Sequence, residues 1–154
     1  LNRLDRRRLS RFNPVCFLHF RPTSEARQWT GATNLLGAPG QLSLWWSLPR
    51  DRLGHILDEN ILVQNLTDGL RLAGGLKILT GENFAIAAGL NESRLLSRGT
   101  YTGVDRSSMS VKMNPKPVQV VLDEAVTSAA FDHGAPEVAR PVTSMLLSDF
   151  DKQR

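Results

Sequence analysis

The chain has 154 residues, 41% of them hydrophobic and 22% charged, with a formal net charge of +4 and a sequence pI near 9.8. That length and composition fit one globular domain and exclude collagen-like or wholly disordered chains. The single cysteine, Cys16, excludes a disulfide scaffold and a Cys-rich zinc site, and no apolar run approaches the ~20 residues of a bilayer span.

The basic excess is concentrated at the start. Arg3, Arg6, Arg7, Arg8 and Arg11 fall within the first eleven residues and only Asp5 opposes them. Residues 1–12 therefore read as a basic arm, with residues 13–154 as a single domain. Three roles fit such an arm: a targeting segment, a solvated terminus, or a phosphate-binding tail in which each Arg displaces a condensed counterion. A start at Leu1 without Met is expected of a processed or trimmed chain, or of an incomplete record.

Residues 13–50 are broken by Pro14, Pro22, Pro39 and Pro49, with Gly31, Gly37 and Gly40 between them. They also carry much apolar mass, so they predict a loop-rich layer packed on the body, with short strands at Val15–Phe20 and 41–48. Trp45 and Trp46 are adjacent, and a strand would send one ring to each face. From residue 51 the spacing of Leu53, Ile56, Leu57 and Ile61 predicts a helix over 52–64. Leu66, Leu70 and Ala73 extend a helical pattern over 66–79, with a kink or stop at Gly74-Gly75.

Residues 80–98 carry the most informative spacing. Small Ala85 is followed four residues later by Gly89, then by apolar Leu90 and Leu95, with Asn91 placed to cap a second helix. This predicts helices over 82–88 and 91–98. Met109, Val111 and Met113 then alternate with polar residues, Asn114-Pro115-Lys116-Pro117 turns the chain, and Val118–Leu122 returns, which predicts a hairpin over 107–122. Asp123-Glu124 predicts a further helix to Asp132, stopped by Gly134 and Pro136, and 142–150 a closing helix.

The 80–98 spacing resembles the helix-turn-helix motif of DNA-binding proteins, and the following hairpin resembles the wing of the winged-helix arrangement. The resemblance implies an α+β fold: a helical body with a helix-turn-helix, a β-hairpin and a loop-rich N-terminal segment, its winged-helix-like core spanning 51–132. It also implies nucleic-acid contacts, DNA more than RNA, by Asn91, Ser93, Arg94, Ser97 and Arg98 on the recognition helix and by Lys112 and Lys116 on the wing. Arg3, Arg6, Arg7 and Arg8 would add phosphate contacts. A plain helical hairpin in a core satisfies the same spacing.

No pattern selects a reaction. His19, His55 and His133 share no metal-ligand spacing on one helix, and G-x-S-x-G, G-x-G-x-x-G and the Walker loop are absent from the sequence. Cys16, between Val15 and Phe17, reads as a buried inert thiol. The sequence thus favours a binding or structural role over an enzyme, with no cofactor, metal or membrane partner expected, and a place inside a cell or a virion. Two functions compete: a DNA-binding module, or a structural subunit of a larger assembly (a virion, a ribonucleoprotein particle or a homo-oligomer) with a basic N-terminal arm. The orientation of Arg94 and Arg98 discriminates them. Exposure beside a Lys112/Lys116 hairpin favours the first, and pairing with acids inside the fold favours the second.

Overall fold

The computed structural model describes residues 15–22, 42–76, 83–90, 93–108, 112–114 and 117–152. They form an α+β fold of nine strands and three helices. Val15–Pro22 (β1) and Leu42–Ser47 (β2), where short strands were expected, pair antiparallel. Cys16, Leu18 and Phe20 on β1 stand opposite Trp46, Leu44 and Leu42 on β2, so these six side chains share one face. Trp46 turns into the core and Trp45 is exposed, one ring to each side.

Asn83–Leu90 (β5) lies on the other side of β1, and Val118–Val121 (β8) and Val126–Thr127 (β9) pair with the far edge of β5. These five antiparallel strands make the first sheet. Arg50–Asp51 (β3), Gly54–Leu57 (β4), Ser93–Arg98 (β6) and Lys112–Asn114 (β7) make a second sheet in the order β3-β4-β6-β7. Within it β4 and β6 run parallel.

Glu59–Gly75 (α1), Ser128–Asp132 (α2) and Ala135–Lys152 (α3) pack on the first sheet. Leu66, Leu70 and Ala73 of α1, Phe131 of α2, and Ala135, Ala139 and Val142 of α3 cover Leu18, Phe20, Phe84 and Ile86. A second apolar cluster joins the two sheets: Cys16 and Leu90 from the first, Leu57 and Leu96 from the second, with Leu146, Leu147 and Phe150 of α3 above them. Trp46 and Val120 touch both clusters, so the core is continuous.

Several expectations are corrected. Residues 54–57 are strand, and α1 starts only at Glu59, after the cap Asp58; it ends at Gly75, where the glycine pair weakens the pattern. Where the two helices of a helix-turn-helix were expected, at 82–88 and 91–98, the described residues are strands: Asn83–Leu90 is β5 and Ser93–Arg98 is β6. Phe84–Leu90 is buried on both faces, so it reads as an unbroken apolar run without the alternation that marks a half-exposed strand. Gly89 makes no turn at positive φ; it sits in β5 because a Cβ there would meet the Phe17 ring and the Val118 carbonyl, the latter at 2.6 Å.

Among the described residues the 107–122 hairpin is also absent: β7 pairs β6 in the second sheet and β8 pairs β5 in the first. The helix expected from Asp123 begins at Ser128. Pro136 does not stop a helix but lies in the first turn of α3, where a missing N–H costs nothing. Pro141 lies further inside α3, on its exposed side.

Candidate functional site

Among the described residues, the second sheet carries the densest polar network. At the turn from β3 to β4, the Asp51 carboxylate accepts hydrogen bonds from the backbone N–H of Leu53 (2.9 Å) and Gly54 (3.0 Å). Gly54 has φ 145°, a conformation costly for any side-chain-bearing residue. Fifty-five residues later Arg106 returns to the same carboxylate. Its Nε donates to Oδ2 at 2.5 Å, its Nη2 to Oδ1 at 3.0 Å and its backbone N–H to Oδ2 at 3.3 Å. Its Nη1 donates to the Ser97 hydroxyl on β6. This two-pronged pairing with Arg106 holds the Asp51 carboxyl well below the usual carboxylate range and holds Arg106 more firmly protonated.

Asp58 does similar work one strand-length away. Its Oδ1 caps α1 by accepting from Asn60 (2.9 Å) and Ile61 (3.2 Å), and its Oδ2 accepts from the Tyr101 N–H at 2.7 Å. The Gly99 N–H donates to the Leu57 carbonyl at 3.2 Å. The Arg52 N–H donates to Asp105 at 3.1 Å. Residues 99–108 are therefore a strap fastened at Asp58 and at Asp51. Strand register puts Asp51, Ile56 and Ser97 on the strap side of the sheet and Leu57 and Leu96 on the core side. Beside them His55 is buried, and burial, followed by the nearby Arg50 charge, pushes its pKa down.

At the far end of β6, Arg98 crosses to the helices. Its Nη1 lies 2.6 Å from Asp151 on α3 and its Nη2 lies 3.3 Å from Glu59 on α1. These groups line an open cleft of about 390 Å³, with Lys152, Ser144 and Ser148 on its walls. Two cations and two carboxylates share it, so no net charge is left to attract an ion. Among the described residues no group of three or more His, Cys, Asp or Glu is placed to hold a metal, and no helix is long and apolar enough to cross a membrane.

The residues singled out from the sequence do not converge. Arg3, Arg6, Arg7, Arg8, Asn91 and Lys116 lie outside the described residues. The backbone of Ser93 and Arg94 is in β6 and that of Lys112 in β7. Ser97 is buried under the strap and occupied by Arg106. Arg98 is spent on Glu59 and Asp151. Sequence reasoning passed over Asp51, Asp58, Tyr101 and Arg106. Asp51-x-x-Gly54 was readable as a turn, and Asp58 before the apolar run of α1 as a cap. Nothing local marks Arg106 as the partner of Asp51. Cys16 is buried as expected, and burial pushes its thiol up to about 12. Compared with protein-family models, curated proteins and solved structures, the chain matches none.

Proposed function

We propose that this chain is a structural subunit of a larger assembly: an α+β body that meets its neighbours through protein contacts and carries a basic N-terminal arm. The observation that carries the reading is the engagement of Arg98 by Glu59 and Asp151. An arginine bridging two carboxylates of its own fold is a structural tie, and its charge is already neutralised before any phosphate approaches. Sequence reading by residues 91–98 is not part of the proposal, because β6 is hydrogen-bonded to β4 on one side and β7 on the other. A strand held on both sides does not enter a groove as a recognition helix does.

A second reading, nucleic-acid binding through the arm, has a separate support in the five arginines among the first eleven residues. Such binding is independent of sequence and steeply dependent on salt. A salt-titrated anisotropy assay on duplex DNA and single-stranded RNA, run beside sedimentation of the protein alone, separates the two. A subunit sediments as more than a monomer at moderate salt without nucleic acid. If the arm binds phosphates, replacing Arg6, Arg7 and Arg8 with Ala flattens the salt slope on duplex DNA by roughly 0.9 for each phosphate that is no longer neutralised. A base-sequence preference that disappears in Arg98→Ala would overturn the subunit reading.

A further inference from the structure

We infer that the strap, residues 99–108, is the surface through which two copies of this chain pair about a two-fold axis. The inference rests on the subunit reading above and names its contact. Val104 on the strap is 70% exposed, the most exposed large apolar side chain among the described residues, and Tyr101 is 39% exposed three residues earlier. Nothing in a strap's own packing needs an apolar tip in water. The strap is also held in one shape by Asp51 and Asp58, so little conformational freedom is left to lose on binding. Its exposed Thr100, Tyr101, Thr102, Gly103, Ser107 and Ser108 match the composition of loops that recognise protein surfaces.

Charge selects a second copy as the partner. Next to Val104, the strap's Asp105 and the turn's Arg52 form a loose ion pair, Nε to Oδ2 3.8 Å, with side chains 52% and 68% exposed respectively. One cation and one anion beside one apolar tip make a patch complementary to itself. A two-fold axis through Val104 sets each Arg52 against the Asp105 of the other copy, and the apolar tips meet between them. A strongly acidic or strongly basic partner would find only half of that patch favourable.

The test is sedimentation velocity of the full chain over a dilution series reaching about 100 μM, which covers micromolar affinities. The expected result is a reversible monomer–dimer equilibrium. Val104→Glu moves its midpoint to at least ten-fold higher concentration, by about 1.4 kcal/mol in RT ln 10. Arg52→Asp and Asp105→Arg each sediment as monomers, and an equimolar mixture of the two forms a dimer again. Such cross-rescue cannot come from an ion pair within one chain, because each variant has lost that pair on its own. Melting curves check that the variants stay folded. Asp105→Arg also removes the acceptor of the Arg52 N–H, so Val104→Glu, at a solvent-exposed side chain, is the variant that decides if Asp105→Arg unfolds. Dimers that ignore Val104→Glu, or that do not return on mixing, overturn the strap contact while leaving the subunit reading in place. A monomer throughout the series overturns the strap contact and the subunit reading together.

Discussion

The first sheet meets its helices through Leu18, Phe20, Leu66, Phe84, Phe131 and Val142, with no charge among them. The second is tied to its strap by Asp51, Asp58, Ser97 and Arg106, all polar and all wholly or partly buried. Apolar burial is non-directional, so it fixes how tightly layers pack more than where a given loop must lie. A carboxylate with defined lone pairs fixes position, and it does so most strongly while ionised. The body therefore draws its stability from one region and holds the path of its surface loop from the other.

Breaking the apolar half should cost most. Phe131 stands edge-on to Phe20 at 5.4 Å and tilted to Phe84 at 5.4 Å, so Phe131→Ala is expected to lose about 3–5 kcal/mol by chemical denaturation. The loss should be nearly the same at pH 4 and pH 7, since no charge is involved.

Asp51→Asn tests the polar half. It should lower the melting temperature less than Phe131→Ala but carry a distinct pH signature. The native carboxyl is held below its unfolded value, near 3.9. The pair thus stabilises fully above about pH 5, and its contribution falls as pH drops below that toward the lower native value. Wild type should lose melting temperature faster than Asp51→Asn between roughly pH 5 and pH 2. Parallel curves would mean that the pair does not hold the strap.

Asp58→Ala removes a helix cap and one fastening of the strap together, for about 0.5–2 kcal/mol from the cap alone. Amide exchange should quicken at Tyr101 as well as at Asn60 and Ile61. Quickening confined to α1 would show that Asp58 serves the helix only. The smallest effect is expected from Arg98→Met, under about 1 kcal/mol, because both of its carboxylate partners are substantially exposed. That difference should vanish in molar salt.

The same contrast explains what the sequence could disclose. Strands β1 and β2 were legible as short apolar stretches between proline and glycine breaks. The inner face of α1 was legible at Leu66, Leu70 and Ala73, and its end at the Gly74-Gly75 pair. Gly54–Leu57 was misread because Leu53, Ile56, Leu57 and Ile61 happen to match helical spacing; the Asp51 turn before them outweighs it. In β5, burial on both faces erased the period-two signal, and small Ala85 and Gly89 imitated a helical crossing. The strap was illegible because its meaning lies in a pairing between residues 51 and 106, which no local window contains. Of the residues chosen as a reading head, Ser97 and Arg98 make polar contacts with groups of the chain's own fold, Arg106 and Asp151 among them.

Cys16 offers one consequence of a different kind. It lies where β1 is flanked by β2 and β5, in the cluster that joins the two sheets, and it is the chain's single thiol. Burial keeps it protonated as well as covered, so a thiol-directed reagent reaches it only when the junction between the sheets comes apart. The chain thus contains its own clock for opening. The rate at which Cys16 is labelled in native buffer reports how often the junction separates, while strap loosening alone leaves that rate unchanged.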